Sequence, residues 1–436
     1  MSVTSAASVT SATSANPESV PASCPVSGQD AALPIGERFE LTFGEVTPTD
    51  LYDEARANEP VCYSERLGLW IVTGEAEMRT MLRDPKRYSS VKHWIPYQEH
   101  PEVQAILDTG LPVKSMNMFT SDPPRHAYLR GLLNAEFTPQ RIASKEARMR
   151  QIAHEVIDGV EHRGEMNFSD EFGDPFCMTV MGDILGYPRE DQELLKRLEF
   201  GYINVALASC TLEQKKQAAR DHVAHQEYYA DLIEQRRRDP KDDLISRLIA
   251  ESERNGEQMN TAAIIGECLS LQIAGHSTPV QCLGFLLQGL TRGGKTLGEV
   301  DCPPQVLISG FEEIVRLTLL GYSRRTTEPV ELGGRQIPED ALVYMVVAAA
   351  NRDKEVFGDI EFDPHREKAH KHLGFGWGRH FCIGAHLARA EGRIAMEVLR
   401  ERLPGLRVAP DFVPDWLPNT AFRKVRRMPV VWEVTR

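Results

Sequence analysis

The sequence predicts a mainly α fold with a small β part. Three observations carry this. Apolar residues recur at helical spacing through most of residues 48–320. Stretches that alternate like strands are few, and most of them lie late. One run, residues 260–291, is apolar on nearly every face and reads as a long helix through a core. The chain has 436 residues, 42% of them hydrophobic, enough for a large buried core.

The elements follow in order. The first 35 residues are rich in Ser, Ala, Thr, Val and Pro. They lack a basic start and a continuous apolar stretch, so they read as a flexible tail rather than a signal peptide. "TDLYDEARANEP" opens on a Thr/Asp cap and stops at a proline, as a helix does. "ERLGLWIVTG" (65–74) reads as a strand and "EAEMRTMLRDP" as a helix. Residues 91–120 keep no period and carry Trp94, Tyr97, Met116, Met118 and Phe119; so long an irregular stretch suggests function, here a pocket lid. Helical patterns then cover about 123–136, 140–162, 170–186, 190–204, 212–238 and 241–254. The long apolar helix is interrupted by Gln272, His276, Ser277, Thr278 and Pro279; the proline should bend it. After a helix over 304–320, "EPVELGGRQIPEDALVYMVVAAANRD" alternates like strands joined at a Gly-Gly turn.

The net charge of −13 argues against nucleic-acid binding. The eight cysteines are spread out with no CxxC, which favours a reducing cytoplasm over a disulfide scaffold. No stretch reaches the roughly 18 apolar residues of a membrane span, so no membrane partner is expected.

The chemistry points to "KHLGFGWGRHFCIGAHLARAE" (371–391). Here Cys382 stands at the mouth of a helical run. A helix N-terminus lowers a thiol's pKa and favours thiolate. The glycines let backbone approach something flat or bulky. From these residues alone a metal ligand, a nucleophile and an inert buried cysteine all remain open.

"FGWGRHFCIG" resembles the haem-binding loop of cytochrome P-450 enzymes, with Phe375, Gly378, Cys382 and Gly384 at the defining places. "EEIVR" is similar to that family's Glu-x-x-Arg pair, Glu313 and Arg316, and "FDPHRE" offers the joining arginine, Arg366. "DPPRHAYLR" resembles the segment whose His and Arg meet a haem propionate, here His126 and Arg130. "SRRTTEPVELGG" resembles the strand with another propionate arginine, Arg324, with Arg325 its rival; His380 matches a third such partner. "IAGHSTP" resembles the oxygen-side segment. Ala274 and Gly275 would let the helix bulge to make room for O2, and Thr278 would hydrogen-bond it. Ser277 stands where the family has a carboxylate, and Pro279 replaces a second hydroxyl residue. Ser277 with water, a polar substrate group, or peroxide as oxidant would each answer the missing acid. His276 reads as an ordinary helix histidine bonded to a neighbour rather than a sixth iron ligand.

The resemblance covers about residues 40–436 and implies a tail over 1–38 and a single haem domain over 39–436. It implies haem b ligated by Cys382 and a monooxygenase placing one oxygen atom of O2 into a mostly apolar small molecule, by hydroxylation or dealkylation, of an aromatic compound or xenobiotic. A biosynthetic tailoring oxidation is the rival; a haem sensor and a cysteine-nucleophile enzyme are the alternatives from other classes. "FGYINVALAS" (200–209), Tyr322 and Asn419 are candidate pocket walls. Electrons are expected from NAD(P)H through a ferredoxin and its reductase, with Lys368, Lys371, Arg379, Arg389 and Arg393 as a docking patch.

Overall fold

In a computed structural model, the structure describes residues 33–40, 48–91, 100–111, 117–206, 210–254, 259–417 and 421–434. They fold mainly into helices, as the periodicity indicates. Residues Ile35–Arg38, which the sequence places in the tail, form a short 3-10 turn. Glu37 there accepts the backbone N–H groups of Glu65 and Arg66, so ordered structure begins before residue 39.

Helix α1 (Thr49–Asn58) leads into a hairpin of β1 (Val61–Ser64) and β2 (Leu69–Val72), then α2 (Glu75–Arg83) and β3 (Tyr88–Ser89). Next come α3 (Pro101–Leu107), α4 (Arg125–Phe137), α5 (Pro139–Asp158), the short β4 (Glu165–Asn167), α6 (Asp174–Leu185) and α7 (Gln192–Ala206). The two long helices α8 (Leu212–Arg238) and α10 (Thr261–Leu290) flank α9 (Leu244–Arg254). After α11 (Pro304–Thr318) the chain makes β5 (Tyr322–Thr326), β6 (Val330–Leu332), β7 (Arg335–Ile337) and β8 (Leu342–Met345). The helical turns α12 (Val347–Ala350) and α13 (Lys354–Phe357) precede α14 (Ala385–Arg402). The strands β9 (Arg407–Val408), β10 (Trp416–Leu417), β11 (Lys424–Val425) and β12 (Pro429–Val431) end the fold.

The main sheet runs β1-β2-β8-β5-β3; β2 and β8 pair in parallel and the other neighbours antiparallel. The Gly-Gly turn is as expected: Gly333 and Gly334 take φ of 54° and 73° and close the β6–β7 hairpin. The expectation of strand through residues 346–352 is corrected. Val347–Ala350 is helical, in keeping with an alanine run that favours helix over strand.

Helix α10 has 30 residues and lies in the middle of the helical body. Asn260 caps it by accepting the Ala263 N–H at 2.9 Å. It is buried on most sides because α6, α8, α11 and α14 all pack against it. It remains one helix through Pro279. Helix α14, which Cys382 introduces, packs on α5, α10 and α11, so the cysteine loop is anchored to the same core.

Candidate active site

The Cys382 loop is shaped by backbone. Gly376 and Gly378 both take φ of 71°, a conformation that side chains disfavour. At Gly378 a Cβ would lie 2.9 Å from the Leu82 carbonyl oxygen, so the loop passes tightly over the end of α2. The Cys382 N–H donates to the Phe375 carbonyl at 2.7 Å and closes the loop on itself. Arg130 of α4 donates through Nη1 to the carbonyls of Arg379 (2.9 Å) and Phe381 (2.8 Å), both in the turn that leads into the cysteine. Phe375 is buried beneath, with the Arg389 guanidinium 4.8 Å over its ring.

Cys382 has open surface, yet protein surrounds it deeply enough that burial pushes its thiol pKa up. Its opening therefore lies within the molecule. The Gly384 N–H at the start of α14, and the guanidiniums of Arg130 and Arg389, pull the other way and favour thiolate. Ala274, in mid-α10, is likewise exposed although Gln272 and His276, two residues to either side, are buried.

A cationic wall stands beside the loop. The rings of His126 and His380 lie 4.0 Å apart, and His380 Nε2 meets Ser90 Oγ at 3.1 Å. His126 is buried, and its Nε2 has no partner among the described residues. Burial, then the charges of Arg130 and Arg379, lower its pKa to about 4. Arg324 is buried with its Nη1 on the Ser323 carbonyl, and no carboxylate binds it among the described residues. Strand alternation sends the neighbour to the other side of the strand: Arg325 pairs with Asp340 at 3.2 Å. Asp122, near this wall, accepts from Ser89 Oγ and from the Ser90 N–H, the latter at 2.8 Å. A buried cluster of this composition suits a planar group carrying two carboxylates, and an orphaned His126 donor is what such a group would satisfy. Tyr322, read as a pocket wall, instead stands at this wall; the Arg324 guanidinium lies 5.6 Å from its ring centroid.

Behind the loop, Arg316 Nε and Nη2 reach Glu313 at 2.7 and 2.8 Å, both residues fully buried. Arg366 joins at 3.0 Å. Arg316 also donates to the carbonyls of Asn351 (2.9 Å), Ile360 and Glu361 (both 3.4 Å), while the Asn351 side chain accepts the Leu373 N–H. The three ions thus hold the stretch that delivers the cysteine loop.

On α10, Ala274 and Thr278 share one stripe, four residues apart. Neither Thr278 nor Ser277 has a hydroxyl partner among the described residues. At Gly275 α10 is helical, and a Cβ there would stand 2.4 Å from Met181 Sδ of α6, so the missing side chain also serves the packing of α6 on α10. His276 turns to the opposite side. Its Nδ1 meets Glu199 at 2.7 Å and its Nε2 meets Asp174 at 2.9 Å. Burial opposes charge on this ring, but the two carboxylates win and raise its pKa to about 9. Sequence reasoning did not find Glu199 or Asp174, which lie on other helices with no local pattern to mark them. It also passed over Glu267, although this is the sole acidic or basic side chain within α10 apart from His276. Glu267 is 1% exposed, and burial raises its pKa to about 8.

The expected docking patch is smaller than the sequence suggested. Arg389 is committed to Glu312, and Arg393 to Glu146 at 2.6 Å and Glu397 at 3.2 Å. Lys368, Lys371 and Arg379 stay exposed. Trp94, Tyr97, Met116, Asn419 and residues 207–209 lie outside the described residues.

Comparison with known proteins points to one family. Residues 309–402 match the family model described as Cytochrome P450, a span that contains Glu313, Arg316, Arg366 and Cys382. The chain is 33% identical over 413 residues to Cytochrome P450 107B1 of Saccharopolyspora erythraea, covering 89% of this chain and 99% of that one. It is 34% identical over 393 residues to 6-deoxyerythronolide B hydroxylase of the same organism, covering 87% and 94%. Among solved structures, the Tepidiphilus thermophilus P450 heme domain superposes with a TM-score of 0.83 at 26% identity, covering 91% and 97%. An intact type IV self-sufficient P450 monooxygenase gives 0.84 at 26% identity over 92% of this chain; the chain spans about half of that longer protein, 54%.

Proposed function

The chain belongs to the cytochrome P450 family and is a P450 monooxygenase, and from that premise we propose that Cys382 is the thiolate ligand of its haem iron. His126, Arg130, Arg324 and His380 would take the propionates, and Phe375, Gly378 and Gly384 would shape the proximal side. The carrying observation is the wall of His126, Arg130, Arg324 and His380 beside the cysteine loop, with the buried His126 Nε2 unpartnered among the described residues. Bound there, haem supplies the activation of O2 and the insertion of one oxygen atom into a carbon–hydrogen bond.

The chain's own residues supply the rest. The Gly384 N–H and the guanidiniums of Arg130 and Arg389 favour the thiolate of Cys382 against the larger opposing effect of burial, which a bound metal ion would offset, and Phe375 packs beneath the loop. The Glu313–Arg316–Arg366 network fixes the loop's position. Ala274 leaves room on the distal face. Thr278 offers an uncommitted hydroxyl that can donate to oxygen and hold a water. Ser277 has no carboxylate to give, so with water it passes protons to Thr278. Both ring nitrogens of His276 are bound to carboxylates, which speaks against iron ligation by it.

The substrate is a mostly apolar small molecule. Relatives named as hydroxylases or epoxidases of 6-deoxyerythronolide B and of mycinamicin IV favour biosynthetic tailoring over attack on a xenobiotic. Electrons come from NAD(P)H by way of a ferredoxin and its reductase in the cytoplasm, docking at Lys368, Lys371 and Arg379.

The test is spectral. Reduced protein with CO should show the strongly red-shifted Soret band of a thiolate ligand, and Cys382→Ser should abolish it. A band at the position of histidine ligation, or a parent band retained in Cys382→Ser, would overturn the assignment.

A further inference from the structure

Glu267 is anomalous for its place. It is the one carboxyl residue of a mostly apolar helix, and it is buried. Its Oε1 accepts the Met118 N–H at 2.7 Å, and no described residue bonds its other oxygen. Arg125, at the start of α4, acts on it only through space, and Cys268 beside it is itself held as a neutral thiol by burial. A glutamine would accept the same N–H without the cost of burying a carboxyl. What the carboxyl adds is its ionised form.

Its position says where that form would be used. Residues 267, 274 and 278 are separated by seven and four positions, and at about 100° per residue they fall within about 40° of one stripe. Ala274 and Thr278 belong to the distal face of the proposed site. Glu267 therefore sits on that same stripe, about 10 Å along the axis from Ala274. The Met118–Thr120 turn, which Glu267 holds, ends the irregular stretch that sequence analysis marked as a pocket lid.

We infer that Glu267 is the recognition point for a basic amine on the substrate, which is an elongated apolar molecule oxidised about 10 Å from that amine. This rests on α10 lining the pocket as proposed above. At neutral pH the free carboxyl keeps its proton, because burial holds its pKa near 8. Entry of a protonated amine brings a cation into direct contact with the carboxyl, where Arg125 acts only at a distance. The carboxyl then gives its proton to solvent and forms a carboxylate–ammonium pair, so one proton leaves for each amine bound. A neutral alcohol of the same shape would release none.

The experiment is calorimetric titration of the haem-loaded protein at about pH 7, in two buffers of different ionisation enthalpy. The probes are N,N-dimethyldecylamine and 1-decanol. The parent should release close to one proton per amine and none with decanol. Glu267→Gln, which keeps an acceptor for Met118, should release none and bind the amine at least about tenfold more weakly, while decanol binds both proteins alike. Absence of proton release in the parent, or equal release and affinity in Glu267→Gln, overturns the inference. So does an amine spectrum showing nitrogen on the iron. A protein with the thiolate–CO band but no proton release refutes this inference alone; one without the band refutes the reading beneath it.

Discussion

The clamp on His276 sets a pH dependence that can be worked out. Burial alone would lower the pKa of the ring, but Glu199 and Asp174 raise it from 6.5 to about 9. At about 1.4 kcal/mol for each pH unit between the unfolded and folded values, the clamp contributes about 3 kcal/mol. The sign follows from a raised folded value. The contribution is complete below about pH 6.5 and is lost as pH climbs through about 9. Glu199→Gln keeps an acceptor for Nδ1 but removes the largest favourable charge. Urea unfolding followed by circular dichroism, at several pH values from about 6 to about 9.5, should show the parent losing about 3 kcal/mol, and the variant losing much less. Lys196, paired with Asp174 at 2.5 Å, and Lys424, buried within range of both carboxylates, also face this group. They are present in both proteins and enter the difference only weakly. Parallel pH profiles for parent and variant would refute a charged, clamped His276.

Other outcomes follow from the same geometry. Glu313→Gln strands a fully buried Arg316 and should cost about 3–5 kcal/mol, read by denaturant unfolding. His126→Leu and Arg324→Leu should each speed haem transfer to an excess of apomyoglobin, whereas Arg325→Leu, on the outward side, should leave the rate near the parent's. Thr278→Ala should lower product formed per NADH consumed; an unchanged ratio would remove Thr278 from the proposed role. Gly275→Ala should cost about 1–3 kcal/mol by crowding Met181, and trimming Met181 to Ala in the same chain should remove the clash, both read by unfolding.

The parts of the site that sequence made legible are those whose residue types answer to their own backbone. Gly378 is required by its φ and by Leu82; Glu313 and Arg316 pair because they stand three apart on one helix. The long apolar helix was visible because burial on all sides erases the polar stripe. The rest depended on distant chain. Arg324 and Arg325 differ only by which side of β5 they take, and that register is set by pairing with β8. His276 finds its partners 77 and 102 residues away. Arg389 and Arg393 looked free for docking because Glu312 and Glu146, on other helices, are not neighbours in sequence. The contact of Gly275 with Met181 joins residues 94 positions apart on two helices, and nothing local to either marks it.

The bonds from Arg130 to the Arg379 and Phe381 carbonyls span 249 and 251 positions of chain. On the ribosome, α4 therefore emerges long before the loop it grips. Through most of synthesis His126 and Arg130 have no loop to meet, and a nascent chain cannot close the cofactor's seat until α14 has cleared the exit tunnel. Cofactor capture is thus confined to the end of translation or later, and a chain released early lacks the cysteine end of the site altogether. Slow closure of so long a loop leaves the apolar faces around α10 uncovered in the meantime, so cofactor supply and chaperone protection should govern yield more than the intrinsic stability of the finished fold does.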